Sequence, residues 1–150
     1  MNRVSRHTSS LLEIQLLREG IVGSTHKAHA VVCDERGRVL TSAGDPEFGS
    51  FIRSALKPFQ ALAVTSTGTL DQFNLSDRDL AIICSSHKGH IEQTRQAFNI
   101  LWRCDVDPSA LKCPTPSDKN TPLAHNCSGK HAGMLAVCKQ RGWSLNGYLN

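Results

Sequence analysis

Arg53-Ser54-Ala55-Leu56-Lys57-Pro58-Phe59-Gln60 sets a serine and a lysine three residues apart where a helix is predicted to begin. Residues at i and i+3 share one helix face. A lysine there can take the serine proton if burial or a second cation disfavours its ammonium form, which makes Ser54 an activated nucleophile. Pro58 is tolerated only in the first helical turn, so the helix should start close to Ser54, where free N–H groups can stabilise an oxyanion. The plainer alternative is a helix cap at Ser54 followed by a solvated lysine.

Two later segments carry further chemistry. Ser85-Ser86-His87 follows the apolar run Asp79 to Cys84, which reads as a buried strand, so Ser86 and His87 fall at a strand-to-helix junction. Either a serine there caps the next helix and His87 is a hydrogen-bonded structural residue, or Ser86 points into the site of Ser54. His125-Asn126-Cys127-Ser128-Gly129-Lys130-His131-Ala132-Gly133-Met134 is denser still in reactive groups. Cys127 before a helix start can be a nucleophile, a zinc ligand with Lys130 beside it, or a buried thiol in a glycine-containing turn.

The elements that must position these residues follow from patterning. Ala28 to Cys33 and Arg38 to Ala43 form a predicted β-hairpin about the turn Asp34-Glu35-Arg36-Gly37. The Ser54 helix runs through Phe59, Ala61, Leu62 and Val64 to Gly68. Ile91, Thr94, Ala97, Phe98, Leu101 and Trp102 recur at helical spacing, predicting an amphipathic helix whose stripe lies against the sheet. Asp105 to Pro122 reads as a long irregular connection, and Lys130 to Gln140 as a helix stopped at Gly142. The order predicts an α+β fold, with helices packed on an antiparallel sheet in a single domain over residues 1–150.

The 150 residues are 39% apolar and 20% charged, values of an ordinary globular protein with a core, which excludes disordered and fibrous classes. Seventeen basic and 13 acidic side chains are scattered without runs, so neither nucleic acid nor a membrane surface is expected as a partner. A small polar substrate fits better. Met1 to Arg18 lacks an apolar secretory core, so the expected setting is cytoplasmic and the six cysteines are expected as free thiols or ligands.

In this order, the Ser54 segment, Cys84-Ser85-Ser86-His87 and His125-Asn126-Cys127-Ser128-Gly129-Lys130-His131 resemble the L-asparaginase II family, the rhizobial-type asparaginases. The resemblance runs from the hairpin to Tyr148. It implies the N-terminal part of a serine β-lactamase-like fold and hydrolysis of L-asparagine to L-aspartate and ammonia by two serine–lysine pairs beside zinc. Carried over, Ser54 is the nucleophile, Lys57 its base and Ser86 the serine of the second pair. Cys127 and Lys130 are zinc ligands, while Arg53 and His131 are substrate-binding. The second lysine and the last cysteine ligand of the family lie in a C-terminal half, so the resemblance implies a truncated chain. That chain is expected to bind zinc weakly and to show little activity unless a homo-oligomer or a separately encoded C-terminal half completes it. Two other functions compete: a penicillin-interactive acyl-serine protein, which should carry a Lys-Thr-Gly triplet absent here, and a non-catalytic zinc- or thiol-binding module around Cys127.

Overall fold

The computed structural model describes residues 7–150 and divides the chain into two compact units, Met1–Phe51 and Ile52–Asn150. The first unit is all β. It contains β1 (His7–Ser9), β2 (Leu12–Arg18), β3 (Ile21–Ala28), β4 (Ala30–Cys33) and β5 (Val39–Ala43). The predicted hairpin is present as β4 paired antiparallel with β5, and β1 adds to β5 in parallel to complete a three-stranded sheet. Its turn is held by Asp34, whose Oδ1 accepts the backbone N–H groups of Arg36 at 3.0 Å and Arg38 at 2.8 Å. These bonds favour the carboxylate, and Arg38 N–H contributes most to holding the Asp34 pKa below its ordinary value. A second, unanticipated hairpin pairs β2 with β3 across Glu19-Gly20, with a register shift between Leu16 and Leu17.

The second unit is helical. It comprises α1 (Lys57–Ser66), α2 (Thr69–Gln72), α3 (Asp77–Cys84), α4 (Ile91–Arg103) and α5 (Ser128–Arg141), with single 3-10 turns at Arg53–Leu56, Pro108–Ala110, Pro122–Ala124 and Leu145–Gly147. The expected start of the first helix is met: a 3-10 turn over Arg53–Leu56 leads into α1 at Lys57, with Pro58 in its first turn. The long connection between α4 and α5 is likewise irregular apart from its two short turns.

Asp79 to Cys84 is not a strand. It belongs to α3, because Ser76 and Asp79 form a reciprocal capping box in which Asp79 Oδ2 accepts both the Ser76 N–H and its hydroxyl at 2.7 Å. The capping box satisfies helix N–H groups that a strand would have paired sideways. Asp79 is itself buried, and its other oxygen accepts from Gln96 Nε2 at 2.5 Å, which ties the start of α3 to α4.

The core of this unit is helix against helix. Ile83 of α3, Ile100 and Leu101 of α4 and Leu135 of α5 are fully buried in one cluster. The stripe of α4 therefore meets α3 and α5, and it is centred on Ala97, Ile100, Leu101 and the following Cys104; Ile91, Phe98 and Trp102 of the predicted stripe are exposed. Helix α5 approaches α3 very closely: a Cβ on Gly129 would fall 2.2 Å from the Ile82 carbonyl oxygen. That glycine fixes where the start of α5 lies, and Cys127 and Lys130 with it.

Candidate active site

Lys57 is the centre of the arrangement. It opens α1 and is only 2% exposed. Its Nζ donates to Ser86 Oγ at 2.8 Å, to Ser85 O at 2.8 Å and to Asn126 O at 3.0 Å. An ammonium has three N–H donors and no acceptor, so three acceptors match its capacity and satisfy a charge that burial would otherwise make costly. The side chain thereby joins α1, the segment after α3 and the segment before α5.

Ser86 lies on the extended connection between α3 and α4, so its junction is helix-to-helix, in place of the expected strand-to-helix one. Its oxygen accepts from Lys57, which leaves its own hydroxyl hydrogen free to turn outward. Ser54 sits in the 3-10 turn ahead of Lys57, exposed to solvent, and its hydroxyl has no hydrogen-bond partner among the described residues. Arg53 beside it holds φ at +49°, a conformation that costs a non-glycine residue of order 1 kcal/mol and that clusters at functional sites.

A cleft of about 460 Å³ gathers Arg53, Ser54, Lys57, His125, Cys127 and Lys130. Five of the seven residues singled out from the sequence share this wall, and Ser86 joins through its bond to Lys57. His131 does not line the cleft. It is buried on α5, where its Nδ1 meets Tyr148 Oη at 2.7 Å with the rings edge to face. Tyr148 Oη also accepts the Lys112 N–H at 2.7 Å. Burial, followed by the charges of Lys130, His125 and Lys57, lowers the His131 pKa to about 4, so the ring is neutral at neutral pH.

The segment 125–127 contributes what sequence reasoning missed. His125 Nδ1 accepts the Cys127 N–H at 3.2 Å, and burial together with the nearby Lys57 and Lys130 lowers the His125 pKa. His125 stood inside the densest reactive motif, a signal that pointed to the segment without giving the residue a role. Asn126 acts through its backbone carbonyl, which any residue type supplies and no sequence pattern marks.

For zinc, the donors at hand on the cleft wall are the Cys127 thiol, the Lys130 amine and the His125 ring. Among the described residues no group of three His, Cys, Asp or Glu side chains is placed to hold a metal ion. A closed tetrahedral site takes four protein donors, and a lysine ligates only after losing a proton, so this donor set falls short of a tight zinc centre. All six thiols are unpaired; Cys104, Cys113 and Cys138 are buried, with burial pushing the Cys104 thiol up to about 12. No helix among the described residues is long and apolar enough to cross a membrane.

Comparison with known proteins gives one weak and one strong likeness. The DnaJ homolog subfamily C member 14 of Rattus norvegicus is 26% identical over 139 residues, a match covering 73% of this chain. The chain spans only 19% of that relative's length, and the likeness carries no argument about the cleft. The family model described as L-asparaginase II matches residues 14–150, a span that takes in most of the first unit, all of the second and every residue of the cleft. The chain belongs to the L-asparaginase II family.

Proposed function

We propose that this chain carries the acyl-serine site of an amidohydrolase that converts L-asparagine to L-aspartate and ammonia. The observation that carries the reading is the buried Lys57, which grips Ser86 while Ser54 stands unpartnered in the same cleft. In this reading the Ser54 hydroxyl attacks the side-chain amide carbon, its proton passes through the Lys57–Ser86 pair to the amide nitrogen, and the C–N bond breaks to release ammonia from the tetrahedral intermediate. Water then releases aspartate from the Ser54 ester. Lys57 at the foot of the cleft and Arg53 at its wall supply positive charge for the substrate carboxylate and the developing oxyanion. For Lys57 to accept a proton it must first give one up, and Ser86, held at 2.8 Å, is the nearest route.

A small-molecule substrate and a cytoplasmic setting belong to the same proposal, as does a structural kinship with serine β-lactamases. Weak zinc binding through Cys127 and Lys130 is also proposed, on the shortage of donors described above. Release of ammonia from L-asparagine tests the reading in the chain completed by a second copy or by a separately encoded C-terminal half, since the chain by itself is expected to turn over little. Ser54→Ala and Lys57→Met should each remove that release, and turnover by either variant at the parent rate rejects it.

A further inference from the structure

His87 and Ser128 form a buried pair that the proposed chemistry does not use. The His87 ring is 5% exposed and Ser128 is fully buried. His87 Nε2 lies 2.9 Å from Ser128 Oγ, and Ser128 Oγ lies 2.7 Å from the Leu123 carbonyl oxygen, which can only accept. The single hydroxyl hydrogen therefore goes to Leu123, and His87 must be the donor to Ser128 through Nε2–H. At the other side of the ring, Nδ1 accepts the Gly89 N–H at 3.1 Å. Every proton in the chain is thus assigned, and the ring is a neutral Nε2–H tautomer.

This pair ties the two segments that surround Lys57. The His87 N–H donates at 3.3 Å to the Asn126 carbonyl, the same oxygen that accepts from Lys57. Gly89 lies so close to the opposite segment that a Cβ would fall 2.4 Å from the Ala124 oxygen. Ser85 and Ser86 stand within two residues of His87, and Asn126 stands two residues before Ser128. All three acceptors on the Lys57 ammonium are therefore carried by backbone that the His87–Ser128 bond holds together.

We infer that His87 is a positioning residue which, through Ser128, clamps the Ser86 segment onto Asn126 and so builds the acceptor cage around Lys57. Its service to catalysis rests on the amidohydrolase reading; the clamp itself does not. Trace acetylation with acetic anhydride, with Lys57, Lys88 and Lys119 quantified by peptide mass spectrometry, tests it on the full chain. His87→Ala should raise the Lys57 rate at least about fivefold, the scale of one lost buried hydrogen bond, and leave exposed Lys88 and Lys119 unchanged. His87→Gln, which keeps an N–H donor near the Nε2 position, should restore protection. An unchanged Lys57 rate in folded His87→Ala, or a Gln variant as reactive as Ala, overturns the inference. Should His87→Ala not fold, Ser128→Ala decides in the same way, with an unchanged Lys57 rate counting against the clamp. These rates need no turnover, so the labelling pattern decides the clamp whether or not the chain releases ammonia, and ammonia release by the completed chain decides the enzyme reading separately.

Discussion

Lys57 shows how one residue couples stability to chemistry. Replacing it with methionine keeps much of the buried stem but strands the carbonyls of Ser85 and Asn126 and the Ser86 hydroxyl. We expect Lys57→Met to lower unfolding stability by about 1–3 kcal/mol, moderated where water reaches Ser86. Ser54→Ala should leave the denaturation midpoint unchanged, because that exposed hydroxyl has no partner to lose. A comparison of urea melts checks both, and the contrast separates a structural lysine from a functional serine. The Ser54–Lys57 spacing was legible in the sequence because both side chains must share a face to act together. The partner actually bonded to Lys57, Ser86, lies 29 positions away, and only packing of α1 against α3 and α5 brings the two together.

Among the elements, α3 is the instructive misreading. Leu80 to Cys84 satisfies the pattern of a short buried strand, and apolar runs of that length do not distinguish strand from buried helix. The deciding signal was Ser76 with Asp79 three residues on, a capping box that the apolar run obscured. The β4–β5 hairpin, α1, α4 and α5 were legible because turn residues, proline placement and helical periodicity act locally. The stripe of α4 was legible as helical yet misplaced, since its buried face depends on which neighbours it meets. The small residues on α5 had no visible purpose until α3 was seen against them. Gly129→Ala should therefore cost well over the up to about 1 kcal/mol that alanine gains in helix propensity, since the added methyl meets the Ile82 backbone. Gly147→Ala, whose Cβ would come no closer than 4.0 Å to a non-adjacent residue, should be nearly neutral, and thermal melts of the two variants side by side check both.

Across the whole molecule, three histidines share one electrostatic sign. Burial leads in lowering the pKa of His87, of His125 and of His131, the last to about 4. Each binds a proton less readily in the fold than once unfolded, so its contribution is complete above the unfolded value near 6.5 and is lost as pH falls below it. The unfolding midpoint should thus decline between about pH 6.5 and pH 4. His87→Gln and His131→Gln should each flatten that slope, and a parallel slope in both variants would assign the acid sensitivity elsewhere. The core cluster belongs to the helical unit alone, while β2 and β3 expose Leu12, Ile14, Leu16 and Ile21. Limited proteolysis is therefore expected to cut between Gly44 and Phe51 and to leave a folded helical unit that keeps every cleft residue.

The most direct measurement of the central claim is acid quenching of the chain with L-asparagine at short times, followed by peptide mapping for an aspartyl ester. The account predicts the ester on the peptide carrying Ser54, absent in Ser54→Ala and scarce in Lys57→Met. An ester carried by Ser86 or Cys127, or none at any time of quenching once a second copy or a C-terminal half completes the chain, would contradict it.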